Sequence, residues 1–242
     1  MNQLLCGFAA WGLGVGLTGP AQAQYMYTRL DVPGATDTVG SGINDAGQIV
    51  GYYFIGDMYH GFLLDVDGSY TTLDFPGADY TEALGINDAG QIVGYYVIGD
   101  IFHGLQLDVE GSYTTLDVSR SGSTGAHGIN GAGQIVGSYE DAAGRSHGFL
   151  LDVDGSYTTL DVPGANYTEA IGINNTGQIV GRYDDADGTP HGFLRDVDGS
   201  FTTLDVPGAR FTFAIGINDA GQIVGLYLDA FGVHGFLATA GG

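Results

Sequence analysis

The ten residues Gly-Ile-Asn-Asp-Ala-Gly-Gln-Ile-Val-Gly run from Gly42 to Gly51 and return, nearly unchanged, from Gly85, Gly128, Gly172 and Gly216. A chain that repeats itself in this way must be built from copies of one supersecondary unit. Two further landmarks keep the same step. His-Gly recurs at His60, His103, His147, His191 and His234, and a Thr-Thr-Leu-Asp segment ends at Asp74, Asp117, Asp161 and Asp205. Every landmark advances by 43 or 44 residues.

One copy reads as four short strands. The first runs up to Gly-Ile-Asn, and Asp-Ala-Gly turns the chain into Gln-Ile-Val-Gly-x-Tyr, the second. A loop of six or seven residues leads to His-Gly-Phe-Leu-Leu-Asp, the third. Val-Asp-Gly-Ser then makes a hairpin into Tyr-Thr-Thr-Leu-Asp, the fourth, which Pro-Gly ends. Val, Ile, Thr, Tyr and Phe fill the strands while Gly, Pro and Asp punctuate them, and no segment keeps a helical period. Four strands in a unit of this length make one propeller blade.

The phase of the repeat selects a closed ring over an open solenoid. Tyr-Thr-Arg-Leu-Asp-Val-Pro-Gly at 27–34 is a fourth strand with nothing before it, and His-Gly-Phe-Leu-Ala at 234–238 is a third strand with no fourth after it. The expected fold is an all-β, closed five-bladed β-propeller over residues 24–242, with four antiparallel strands per blade. The N-terminal strand completes the last blade and spares the ring an unpaired edge. Neighbouring copies bury the sheet faces that one blade cannot bury alone. The glycine of each Gly-Ile-Asn falls on the strand nearest the axis, where room is least.

Charge narrows the partners. The 242 residues carry 28 acids against six arginines and no lysine, a formal charge of -22. Such a chain repels nucleic acid and anionic membrane surfaces and leaves cationic partners, calcium and neutral glycans open. Residues 1–23 read as a secretory signal peptide, with an uncharged apolar run from Leu4 to Leu17 and a small-residue cleavage site at Ala21-Gln22-Ala23. Its first residues depart from the usual pattern by lacking Lys and Arg. Cleavage removes the one cysteine, Cys6, and the one tryptophan, Trp11, so the secreted chain has neither disulfide nor thiol chemistry.

Gly-Ile-Asn-Asp-Ala-Gly-Gln-Ile-Val-Gly, then His-Gly-Phe-Leu, then Thr-Thr-Leu-Asp-Val-Pro-Gly-Ala resembles the bacterial extracellular repeat family named HAF after its His-Ala-Phe triplet. The resemblance covers all five units. Glycine stands where the triplet has alanine, as in His60-Gly61-Phe62, and His103-Gly104-Leu105 departs further. The resemblance implies a secreted bacterial protein and brings no activity and no catalytic residues with it.

Propeller geometry sorts the loops onto two faces. The Asp-Ala-Gly and Val-Asp-Gly-Ser turns share one face and hardly change between units. The other face carries the second-to-third loops, 54–59, 97–102, 140–146, 184–190 and 228–233, and the blade links, 36–41, 79–84, 122–127, 166–171 and 210–215, all of which vary. Variable aromatic and acidic loops on a rigid scaffold are where binding concentrates. The expected role is a secreted, monomeric binding module that recognises glycans in a lectin-like way. Tyr59, Phe102, Tyr80, Tyr167, Phe211 and Phe213 are the stacking candidates, and Asp57, Asp100, Glu82 and Glu169 the hydrogen-bonding ones. A structural or protein-interaction scaffold of the cell surface or matrix, contacting surface proteins, is the alternative, and a glycan-active enzyme a further one.

Other chemistries find less support. The five patterned histidines sit on different blades and spread around the ring, so they read as structural and no metal site is expected. His127 stands outside that pattern. The Asp-Val-Asp-Gly turns fail the EF-hand spacing, because Leu63 and Leu150 stand where its first ligand belongs. No cofactor is expected, with weak calcium binding at the acidic surface left open. There is no Gly-x-Ser-x-Gly elbow, phosphate loop or reactive cysteine. Near-equal blades single out no active site, so no catalytic residue and no enzyme are expected.

Overall fold

The computed structural model describes residues 28–118 and 121–239, and the expected signal peptide, residues 1–23, lies outside them. The described residues form nineteen strands and no helix. Blade one holds β1 (Asp37–Ile43), β2 (Ile49–Ile55), β3 (Met58–Leu64) and β4 (Tyr70–Leu73). Blade two holds β5 (Tyr80–Ile86), β6 (Ile92–Ile98), β7 (Ile101–Leu107) and β8 (Tyr113–Thr115). Blade three holds β9 (Thr124–Ile129), β10 (Ile135–Glu140), β11 (Ser146–Leu151) and β12 (Tyr157–Leu160). Blade four holds β13 (Tyr167–Ile173), β14 (Ile179–Asp184), β15 (Pro190–Arg195) and β16 (Phe201–Leu204). Blade five holds β17 (Phe211–Ile217), β18 (Ile223–Leu228) and β19 (Val233–Ala238).

Each blade is an antiparallel meander in chain order, and the five make a five-bladed β-propeller. The first strands pack on one another in succession, β1 on β5, β5 on β9, β9 on β13 and β13 on β17. Residues from all five first strands surround one axial depression of about 350 Å³ at the repeat-turn end. Glycine permits this crowding. A Cβ on Gly128 would stand 2.7 Å from the Ile171 carbonyl oxygen, and one on Gly172 2.9 Å from that of Ile215.

The repeated stretch holds blade to blade. Asn44 is almost fully buried; its side-chain oxygen accepts from the Gln48 amide at 3.0 Å, closing the Asp-Ala-Gly turn. Its Nδ2 donates to Gln48 Oε1 at 2.9 Å and to the Asn87 carbonyl of the next blade at 3.2 Å. Asn87, Asn130 and Asn174 continue this ladder to Asn130, Asn174 and Asn218. The valine of Gln-Ile-Val-Gly does the apolar part. Val50 packs with Ala83 and Ile86 of blade two, and Val50, Val93, Val136 and Val180 are all 0% exposed. Burying each contributes about 1.5–3 kcal/mol.

The patterned histidines are structural. His60, His103, His147 and His191 bond through Nδ1 to Asp74, Asp117, Asp161 and Asp205 at 2.8–3.0 Å. Each ring stacks on the tyrosine opposite it, Tyr53, Tyr96, Tyr139 or Tyr183. Among the described residues no group of three or more His, Cys, Asp and Glu gathers as a metal site.

Two expectations meet differences. The strand expected to complete blade five begins at Tyr27, outside the described residues; Thr28 to Leu30 are described and are not in a strand. Among the described residues blade five has three strands with β19 the last of them, and Val224 and Leu237 are 50% and 63% exposed. The loops at 54–59 and 97–102 are tight hairpins instead, since β2 and β3 are separated only by Gly56 and Asp57. Both residues have positive φ, 61° and 73°, the conformation that matches a two-residue turn to the strand twist. The blade links also belong largely to strands. In Tyr80-Thr81-Glu82-Ala83 the alternate residues Thr81 and Ala83 are 1% and 0% exposed, a period of two that extends β5 to Tyr80.

Candidate functional site

These extensions carry the expected site residues from loops onto rigid strands. Tyr59 lies on β3, Tyr80 and Glu82 on β5, Phe102 on β7, Tyr167 and Glu169 on β13, and Phe211 and Phe213 on β17. Asp57 and Asp100 sit exposed at the hairpin tips after β2 and β6.

The variable face brings most of them into two groups. The first spans blades one and two. Tyr80 meets Tyr59 edge to face, with ring centroids 6.0 Å apart, and meets Phe102 at 6.4 Å. Tyr95, absent from the sequence-based candidates, joins them at 5.3 Å from Phe102. Edge-on contacts suit the quadrupoles of the rings and fix their orientation. Glu82 lies among them. Burial raises its carboxyl above the ordinary carboxylate value, and the neighbouring Tyr95 hydroxyl opposes this only in part. Burial, reinforced by Glu82, pushes the Tyr95 hydroxyl far up, so Tyr95 stays neutral.

The second group spans blades three to five. Arg182 Nε donates to Glu169 Oε2 at 2.5 Å, and its NH2 group donates to the Tyr167 hydroxyl at 2.9 Å. That hydroxyl donates in turn to Glu169 at 2.7 Å. The guanidinium lies over the rings of Tyr167 and Phe213, about 5 Å from each centroid, a cation–π pairing. Phe211 stacks on Phe213 at 4.6 Å. Burial alone would raise Glu169, but His127 and Arg182 outweigh it and hold its carboxyl below the ordinary value. His127 Nε2 lies 3.3 Å from Glu169 Oε1 and 3.2 Å from Ser138 Oγ. Its own pKa is depressed, by burial first, against the pull of Glu169.

Between the groups blade three opens a cleft. Glu82 and Tyr95 face each other across β5 and β6, and Glu169 and Arg182 do so across β13 and β14. The corresponding pair in blade three is Gly125 and Ser138. With no side chain at Gly125 and only a hydroxymethyl group at Ser138, a cavity of about 190 Å³ opens, walled by Tyr95, Phe102, His127, Tyr139 and Glu140. Arg182 and Tyr95 are not among the sequence-based candidates, and His127 stands out there only as a histidine outside the pattern. His127 and Arg182 are legible only as departures from their equivalents, as His127 stands where blade two has Leu84 and Arg182 where blades one and two have Tyr52 and Tyr95.

Solved structures share the fold. Streptogramin B lyase is 15% identical at a TM-score of 0.52, over 86% of this chain and 70% of that one. A catalytically inactive virginiamycin B lyase from Staphylococcus aureus with quinupristin is 14% identical at 0.53, over 86% and 72%. TolB from Acinetobacter baumannii is 13% identical at 0.59, over 84% of this chain and 54% of that one. No family model matches the sequence. No curated protein matches it. The protein is thus a five-bladed β-propeller with lyase and TolB structures among its neighbours, and its likeness to the HAF family rests on the shared motifs alone. At these identities the likeness shows the fold and carries over no activity.

The neighbours correct one expectation. A lyase is built on this fold, so repetition of blades is no argument against an enzyme. In this chain blade three breaks the symmetry and sets a buried histidine against a carboxylate and a guanidinium.

Proposed function

We propose that the protein acts outside the cytoplasm as a binding propeller and takes a glycan in the blade-three cleft of the variable face. The observation that supports this reading is the replacement of the large cross-strand pair of blades two and four by Gly125 and Ser138, between walls that hold aromatic rings and polar groups. Apolar ring faces with a few fixed polar groups are what an oriented small ligand needs. Tyr95 and Phe102 offer faces to a sugar ring, while His127, Ser138 and Glu140 offer acceptors and donors to its hydroxyls. The tyrosine cluster of Tyr59 and Tyr80 continues the surface toward blade one and would take a second residue of a longer chain.

The test is a screen of the purified protein on a glycan panel, followed by calorimetry with Gly125→Glu and Phe102→Ala. Gly125→Glu puts into blade three the residue that blades two and four carry, and should abolish binding without unfolding the protein. Binding that survives Gly125→Glu would place the ligand elsewhere. Silence across the panel from folded protein would favour a scaffold that contacts other proteins.

A further inference from the structure

The repeat-turn face, opposite the cleft, carries two matching grooves. One lies between blades one and two, has a volume of about 380 Å³, and is lined by Gln48, Leu63, Thr71, Leu73, Asp88 and Ile92. The other lies between blades four and five, has a volume of about 610 Å³, and is lined by Gln178, Leu194, Thr202, Leu204, Asp219 and Ile223. These six positions correspond one for one, while the second rim carboxylate and the bordering valine come from blade two in the first groove and from blade four in the second. Each groove has an apolar floor of two leucines and an isoleucine, with Ile92 and Ile223 only 3% and 4% exposed. An exposed valine borders each, Val109 at 66% and Val197 at 62%, which extends the apolar surface outward. Each has two carboxylates on its rim, Asp88 with Asp108 and Asp219 with Asp196, and no arginine lines either among the described residues.

The other junctions do not repeat this set. Between blades two and three, Gln106 stands in place of Leu63 and Gly131 in place of Asp88. Between blades three and four, Asn175 stands in place of Asp88. The turn itself does not need an aspartate there, since Asn175 Oδ1 accepts the Gly131 amide at 2.7 Å just as Asp88 Oδ1 accepts that of Asp45 at 2.8 Å.

We infer that these two grooves are binding sites for an organic cation with an aliphatic body. The argument is complementarity: a dry apolar floor receives the body, and a rim of carboxylates without a counter-cation receives the charge. An anionic ligand meets repulsion from a chain of formal charge -22, and a neutral one brings no counter-charge to carboxylates whose bonds come from backbone and side-chain amides. The protein therefore binds two equivalents, one per groove, on the face opposite the glycan cleft and independently of it.

The probe is n-hexylammonium, titrated into the 15N-labelled protein, with n-hexanol and hexanoate in parallel. The expected result is saturable amide shifts confined to the turns at 88–92 and 219–223, with a weaker response to hexanol and none to hexanoate. Asp88→Asn removes the charge with the residue that position 175 already tolerates, and should weaken the first groove by about threefold to tenfold while sparing the second. Leu63→Gln, which copies Gln106, removes the floor and should do the same through lost burial. Equal affinity for hexanol, shifts spread over all the acidic turns, or an unchanged response in Asp88→Asn would each overturn the proposal.

Discussion

Glu82 and Glu169 occupy the same position of the repeat, each the third residue of its blade's first strand after Tyr-Thr. Their electrostatics are opposite. Glu82 is raised and Glu169 is lowered. The difference lies in the residue across the strand pair, Tyr95 for Glu82 and Arg182 for Glu169. A second contribution comes from the preceding blade, where His127 stands beside Glu169 and the corresponding residue before Glu82 is Ser41. One scaffold position thus yields a carboxyl poised toward neutrality on one wall and a fixed carboxylate on the other. Symmetric backbones give asymmetric chemistry once the cross-strand partners diverge.

The sharpest break of this comparison is Arg182→Met. It strands the Glu169 carboxylate without its guanidinium, and the loss should reach about 2–3 kcal/mol, below the range for fully buried pairs because Arg182 keeps a third of its surface. Urea denaturation at pH 7 measures it, and a loss within error of zero would show that the pair carries no stability. Arg182→Tyr rebuilds the blade-two pair in blade four, so Glu169 should move from below the ordinary carboxylate value to above it. Carboxyl 13C titration reads this directly. Tyr95→Arg is the reverse experiment and should lower Glu82, by less, since Ser41 offers no histidine to reinforce the guanidinium; a Glu82 that stays raised would make burial alone its cause.

The smallest effect concerns the strand histidines. Burial alone would lower His147 and His191, but Asp161 with Asp141, and Asp205 with Asp185, outweigh it and raise both above the ordinary 6.5. The folded state therefore holds these protons more tightly than the unfolded chain. That stabilisation is complete below pH 6.5 and fades as pH rises through the raised values. His147→Gln should flatten this slope by at most about 1 kcal/mol, seen as melting temperatures compared at pH 5.5 and 8.5. A slope that His147→Gln leaves intact would assign it to other groups.

Much of the architecture was legible because period and phase are properties of the chain itself. The Asn44 to Asn174 ladder explains why Gly-Ile-Asn and Gln recur: each asparagine closes its own turn and reaches the next blade. Of the expected ligand residues, Tyr59, Tyr80, Phe102 and Glu82 do meet, as do Tyr167, Glu169, Phe211 and Phe213, while Asp57 and Asp100 stay apart at hairpin tips. The loop reading failed at 54–59 and 79–84 because variability was taken for irregular backbone, when Gly56-Asp57 and the alternation at Thr81 and Ala83 both extend the strands.

The sequence by itself determined the number of blades, their strands and the two unlike faces, since local pattern and repetition settle these without reference to distant contacts. Only the tertiary structure decided that Gly125 and Ser138 open a cleft and that His127 meets Glu169 across a blade boundary. It alone also showed that two of the inter-blade grooves match. These depend on residues some forty positions apart whose side chains meet only when the ring is assembled, and a void is defined by what surrounds it, which no single stretch of chain contains.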